Sequence, residues 1–211
     1  RLSKPAGVIY FMAIRNIVFD MGNVILDYNP TRLVNQLFAA PDERALIMHE
    51  VFGTAGWLEL DKGMISYEDH LAALSERYPQ HQQKISWLLD HWHTDQPLVP
   101  GIFELVQKIK ALGYELYVLS NASLRFYTYA PNYEIFDLFD GITISADLKA
   151  LKPHPEIYQS FIQIHDLKPK ECFFIDDKQV NVDAAIALSW RGQRFYDTNQ
   201  LEAYLLKEFG F

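Results

Sequence analysis

Ile14-Arg15-Asn16-Ile17-Val18-Phe19-Asp20-Met21-Gly22-Asn23-Val24 is the stretch that decides the fold. Its first six residues are mostly apolar and β-branched, and Asp20-Met21-Gly22-Asn23 stops them. It reads as a buried strand ending in a turn that carries a carboxylate. Similar endings recur downstream. Tyr114-Glu115-Leu116-Tyr117-Val118-Leu119 runs into Ser120-Asn121, Gly141-Ile142-Thr143-Ile144-Ser145 runs toward Lys152, and Cys172-Phe173-Phe174-Ile175 runs into Asp176-Asp177.

Helical patterns separate these strands. Ile102, Leu105, Val106, Ile109 and Leu112 share one helix face, with Pro100 before it and Gly113 at its stop. Pro155 suits the first turn of a helix reaching about His165, and Asn181 to Leu188 forms another. Strands alternating with helices imply βαβ units, so the expected fold is a Rossmann-like, doubly wound parallel sheet in three α/β/α layers. Ligands of such sheets bind beyond the carboxyl ends of the strands, where Asp20, Ser120 and Asp176-Asp177 would gather.

From about Tyr28 to Gln96 the alternation stops and the spacing is helical throughout: Leu33 and Leu37; Leu71, Leu74 and Tyr78; Ile85, Leu88, Leu89 and Trp92. Ser66-Tyr67-Glu68-Asp69 has the form of a capped helix start. The expected organisation is therefore a core of residues 13–27 and 97–211, a helical cap of residues 28–96 inserted after the first strand, and an extension of residues 1–12, with Met12 as a natural start.

Composition sets the class. With 49% apolar and 22% charged residues, the 211-residue chain has ample material for an ordinary globular core. A formal net charge of -8, without a Lys/Arg cluster, argues against nucleic acid. No apolar run reaches the roughly 20 residues of a membrane span. Cys172 is the only cysteine, which excludes an intrachain disulfide and points to a reducing cytoplasm; in its apolar run it reads as a buried thiol. The short apolar N-terminal run merges into the first strand, so it is read as an extension and not as a signal peptide.

Alone, each polar ending has an ordinary explanation: Asp20 as a turn former, Ser120-Asn121 as a helix cap, Lys152 as a loop lysine, Asp176-Asp177 as a helix start. Their order is more informative. Phe19-Asp20-Met21-Gly22-Asn23-Val24, Leu119-Ser120-Asn121, Leu151-Lys152-Pro153-His154-Pro155-Glu156-Ile157-Tyr158, and Phe174-Ile175-Asp176-Asp177 with Asn181-Val182 together resemble the four ordered motifs of the haloacid dehalogenase superfamily. The Asp-Met-Gly-Asn-Val variant is most similar to a bacterial subgroup that includes glucose-1-phosphate phosphatases.

The resemblance implies a hydrolase acting on a small phosphorylated metabolite, with Asp20 as nucleophile and Mg²⁺ as cofactor. It implies cation ligands at Asp20, the Gly22 carbonyl and Asp177, with Asp176 nearby or bound through water. Ser120 and the Asn121 amide would donate to phosphoryl oxygens, and Lys152 would compensate charge. One departure stands out. Phosphatases of this superfamily usually carry a second aspartate, the general acid and base, where this chain has Gly22; Asp27, Asn23, His154 or a cap residue are the substitutes considered. Gly22 is also expected to resist a side chain through a positive φ. In the cap, Trp57 and the turn Glu59-Leu60-Asp61-Lys62-Gly63 resemble the stretch that dips toward the site, which makes Lys62 a candidate substrate contact. His91 and His93, with no metal-ligand spacing, read as hinge or surface residues. The competing readings are a metal-independent 2-haloacid dehalogenase and a non-catalytic phosphometabolite-binding protein; the oligomeric state is left open.

Overall fold

The computed structural model describes residues 14–210, so the expected extension of residues 1–12 and the start at Met12 lie outside the described residues. Five strands, β1 (Asn16–Phe19), β2 (Glu115–Ser120), β3 (Gly141–Ile144), β4 (Cys172–Asp176) and β5 (Arg191–Arg194), form one parallel sheet in the order β3-β2-β1-β4-β5. The order reverses at β1, which lies between β2 and β4. That reversal opens a crevice at the strand ends.

Alternate residues of each strand feed opposite faces, as the pleat requires. Ile17, Phe19, Leu116, Val118, Phe173 and Ile175 join one buried cluster with residues of helices α6 (Ile102–Ala111) and α11 (Thr198–Phe209). Val18, Tyr117, Leu119, Cys172 and Phe174 join the other with α9 (Pro155–Ile164) and α10 (Gln179–Ala187). The result is a three-layer α/β/α sandwich of Rossmann-like type. Cys172 is buried, its thiol pushed up to about 12 by burial.

After β1 the chain leaves the core through α1 (Thr31–Leu37), α2 (Pro41–Ile47), a π-helical turn at Met48–Phe52, α3 (Ala55–Asp61), α4 (Tyr67–Arg77) and α5 (Gln82–His91). The outgoing and returning segments are pinned together. Asp27 N donates to the Pro97 carbonyl at 2.8 Å, and Arg32 reaches Asp27 at 2.8 Å and Asp95 at 3.1 Å. The short helices α7 (Phe126–Tyr129) and α8 (Ser145–Leu148) follow β2 and β3.

β5 and α11, like the short helices α7 and α8, escape the sequence reading. β5, Arg-Gly-Gln-Arg, has no apolar run because it is an edge strand whose side chains are only partly covered. Helix α11 is capped by Asp197, whose side chain accepts from Gln200 N at 2.8 Å, and buries Leu201 and Leu205. β1 also enters the ladder at Asn16 instead of Ile14.

The Ser66 signal corresponds to a full capping box: Ser66 Oγ accepts from Asp69 N at 3.0 Å, and Asp69 accepts from Ser66 N at 3.1 Å. Ser66→Ala removes one half of this exchange, and chemical denaturation should register a loss of about 1 kcal/mol.

Candidate active site

Asp20 follows the last residue of β1, and its amide donates to the Ile175 carbonyl at 2.8 Å, continuing the ladder toward β4. This fixes its carboxylate beside the Asp176-Asp177 pair at the end of β4. Lys152 reaches the same point after β3, α8 and a loop. Its Nζ lies 2.8 Å from Asp20 Oδ1 and 2.7 Å from Asp176 Oδ2, and it donates to the Leu119 carbonyl at 2.9 Å. Three acceptors surround an ammonium with three donors. The Lys152 backbone is clamped by Asn121, whose side chain accepts from Lys152 N at 2.8 Å and donates to its carbonyl at 3.0 Å.

Asp176 is fully buried and fully engaged. Besides Lys152, its oxygens accept from Asn181 Nδ2 at 3.0 Å each and from Lys178 N at 2.8 Å. Asp177 is half-buried and accepts from Asn23 Nδ2 at 3.3 Å. Asp20 Oδ1 takes bonds from Lys152 and from Met21 N at 2.7 Å, while Oδ2 receives none from the described residues. Ser120, buried at the end of β2, likewise has an Oγ that makes no hydrogen bond to another described residue.

Ligand oxygens of Asp20, Asp176 and Asp177 lie within 4.8 Å of one another. Burial raises the Asp20 carboxyl to about 6, Lys152 opposing and Asp176 and Asp177 adding to the rise. Asp177 is also raised, by burial and then by Asp176. Burial alone would lower the Lys152 ammonium; Asp20 and Asp176 outweigh it and hold Lys152 above its ordinary range. Three carboxylates against one ammonium leave two negative charges when all are ionised, the complement of a divalent cation. The donor set is all oxygen, as a hard cation requires.

These groups open into a cavity of about 250 Å³ whose other walls come from the helical insertion and from further core residues, Tyr129 among them. Asp20, Gly22, Ser120, Asn121, Lys152 and Asp177 line it; Asp176 lies behind Lys152, and Lys62 is not part of the wall. Among the substitutes considered for an acid at Gly22, Asn23 lines the cavity, whereas Asp27 is spent on Arg32 and His154, at the start of α9, is not part of the cavity wall. Gly22 itself is a correction. The positive φ belongs to Asn23, at 58°, and a Cβ on Gly22 would meet nothing closer than Tyr28 Cβ at 3.8 Å.

Besides Trp57 and the turn holding Asp61, both expected to dip toward the site, the cavity contains residues that the sequence reading gave no role. Tyr28, Phe52, Trp57, Trp92 and Tyr129 form an aromatic wall, and Asp61 and Gln96 add polar groups to it. Trp57 packs edge-on to Phe52 and Trp92, with centroids at 4.8 and 5.2 Å. Asp61 lies four residues after Trp57 on α3, a spacing that puts both on one helix face and is the signal available in the sequence.

A family model of haloacid dehalogenase-like hydrolases matches residues 14–188. The chain belongs to the haloacid dehalogenase-like hydrolase family. Among curated members, a sesquiterpene phosphatase of Aspergillus oryzae is 28% identical over 184 residues, covering 86% of this chain and 89% of the relative. A D-ribitol-5-phosphate phosphatase of Bacteroides thetaiotaomicron is 27% identical, covering 80% and 85%. A solved haloacid dehalogenase family enzyme of the latter organism superposes with a TM-score of 0.74 at 21% identity, over 91% of this chain and 98% of that one. Its complex with magnesium and inorganic phosphate gives 0.69 at 20% identity, covering 88% and 96%. As a member of this family the chain is a hydrolase.

Protons and a cation compete for the same carboxylates. Because the Asp20 and Asp177 carboxyls are raised, divalent-cation affinity measured by calorimetry should fall as pH drops from 8 through about 6 toward 5. Constant affinity over that range would contradict the cluster's role.

Proposed function

We propose that this hydrolase is a magnesium-dependent phosphatase that cleaves a small phosphate monoester through an aspartyl-phosphate on Asp20. The observation that carries the reading is the meeting of Asp20, Asp176 and Asp177 around a lysine that offsets only one of their charges. The phosphatase activities of the two curated relatives support the reaction class. Asp20, Asp177 and the Gly22 carbonyl would hold Mg²⁺, with Asp176 set behind them by its four hydrogen bonds. When bound, the ion supplies charge neutralisation and Lewis-acid stabilisation of the phosphoryl oxygens.

The chain's own groups divide the remaining work. Lys152 and Met21 N fix Asp20 through Oδ1, so the unengaged Oδ2 is free to attack phosphorus in line with the ester oxygen. Ser120 Oγ and the Asn121 amide donate to phosphoryl oxygens at the end of β2. Attack forms the Asp20 O–P bond and breaks the ester P–O bond. Water then attacks phosphorus and returns Asp20 as a carboxylate. The helices of residues 28–96 act as a cap that closes the cavity over the core and excludes bulk water.

The walls describe the organic part of the ester. Aromatic faces suit an apolar skeleton or the C–H face of a sugar. Gln96 is buried and its Nε2 has no hydrogen-bond partner among the described residues, so a hydroxyl on the substrate would satisfy it. A small sugar or polyol phosphate fits both features. The metal-independent dehalogenase reading is disfavoured by the same carboxylates, which repel one another without a cation.

A phosphate-release screen over sugar, polyol and aryl phosphates tests this directly. Release with Mg²⁺ that stops with chelator, and that Asp20→Asn reduces to background while the fold remains intact, is the expected result. Halide release from 2-haloacids without metal would instead support a dehalogenase, and saturable ester binding without turnover a binding protein.

A further inference from the structure

Ester cleavage needs a proton for the departing oxygen unless the leaving group is already a good one. Within the cavity, the titratable groups are Asp20, Tyr28, Asp61, Tyr129, Lys152, Asp177 and Lys178. Asp20 and Asp177 are engaged by nucleophile and cation chemistry. Lys152 spends its ammonium on Asp20, Asp176 and a carbonyl. Burial pushes the phenols of Tyr28 and Tyr129 well above their ordinary range, and Lys178 is exposed. Gly22 offers no acid. Asp61 is the carboxyl that remains.

We propose that Asp61, carried on α3, is the general acid and base of the reaction, placed in the cavity by contacts on both the helical insertion and the core. This rests on the phosphatase reading above. Its side chain lines the same cavity as Ser120 and Asn121, beside the loop that would hold the phosphoryl group, and the Trp57 indole and the Ser123 amide, three residues beyond Ser120, both favour its charged form. Its backbone is anchored too: Ser145 Oγ donates to the Asp61 carbonyl, and Lys149 Nζ donates to the Gly63 carbonyl. Gly63, at φ +66°, lets this turn approach α8 so closely that a Cβ would lie 2.6 Å from the Ala146 carbonyl oxygen. Asp61 shares the cavity wall with Gly22 and Tyr28, and a side chain at Gly22 would begin 3.8 Å from Tyr28 Cβ.

Burial raises the Asp61 carboxyl to about 7, against the lowering effects of Lys178, the Ser123 amide and the Trp57 indole. Both protonation states are therefore available near neutrality. As Asp20 attacks phosphorus, the ester P–O bond breaks, its electron pair passes to the leaving oxygen, and neutral Asp61 gives that oxygen its proton. The resulting Asp61 carboxylate then takes a proton from water as the water oxygen attacks phosphorus. The Asp20 O–P bond breaks, its pair returns to Asp20, and inorganic phosphate leaves. One ester and one water yield one alcohol and one phosphate, with Asp61 reprotonated.

The test compares the native enzyme, Asp61→Asn, and Asp61→Asn with Gly22→Asp on alkyl phosphates and on p-nitrophenyl phosphate, across pH. Asp61→Asn should lower kcat/KM on alkyl phosphates by about 10²–10⁴-fold, with a much smaller loss on p-nitrophenyl phosphate, whose leaving group needs no proton. The alkaline limb near pH 7 should disappear, and adding Gly22→Asp should restore part of the alkyl activity. A merely structural role would depress all esters alike and leave the limb in place. If Asp61→Asn does not fold, Trp57→Phe decides. Loss of the indole donor raises the Asp61 carboxyl, so the limb should move to higher pH, and an unmoved limb overturns the proposal. An unchanged alkyl-to-aryl ratio and pH limb in folded Asp61→Asn, with Asp20→Asn still inactive, overturns the Asp61 role alone. No phosphate release by the native enzyme from any ester removes both readings.

Discussion

Lys152 brings one ammonium to the point where Asp20 and Asp176 converge, with Nζ at 2.8 and 2.7 Å from their oxygens and almost no exposure to water. Breaking such a buried arrangement from one side is typically costly, about 3–5 kcal/mol, because the charge left behind has no solvent to turn to. The surrounding structure is arranged to prevent this. Asn121 clamps the Lys152 backbone on both its amide and its carbonyl, the Leu119 carbonyl takes the third ammonium proton, and Asn181 with the Lys178 amide engages the remaining capacity of Asp176. Asn181 is itself held, its carbonyl accepting from the buried Tyr158 hydroxyl at 2.9 Å. The chain of contacts thus runs from the core helix α9 to the carboxylate at the end of β1.

Incomplete neutralisation is the useful consequence. Lys152 orients Asp20 without cancelling the charge of the cluster, which keeps the site attractive to a divalent cation. A fully neutral cluster would offer little to such an ion, and an unrelieved one would repel a phosphate. The acidic chain, at net -8, therefore needs no basic patch to receive an anion. The helices between β1 and β2, with Tyr129 of α7, complete the enclosure with an aromatic wall, and the turn at Asp61 to Gly63 rests directly on α8.

The fold class was legible because β1, β2 and β4 carry dense apolar runs, and buried parallel strands read that way. β5 was not, since an edge strand of Arg-Gly-Gln-Arg is specified by backbone pairing to β4 and leaves no hydrophobic signature. At the site, Asp20, Ser120, Lys152 and Asp177 stand out by their places after strands, and they line or face one cavity. Asp61 had a weaker signal. In the turn after α3, attention falls on Lys62 as the long cation, whereas the cavity is lined by its neighbour, one residue earlier on the face shared with Trp57. Gly22 shows the opposite limit: a glycine in a turn suggests a positive φ, yet here the left-handed residue is Asn23, which also reaches Asp177. Neither contact can be inferred from the residue type.

The central claim is that Asp20, held by Lys152, attacks phosphorus and becomes covalently phosphorylated. Rapid acid quench during turnover of a good substrate, followed by peptide mass spectrometry, tests this most directly. The account predicts a transient phosphate on the peptide containing Asp20, assigned to that carboxylate, appearing before steady-state product and decaying with it. Product formation through the same interval with Asp20 never modified would contradict it.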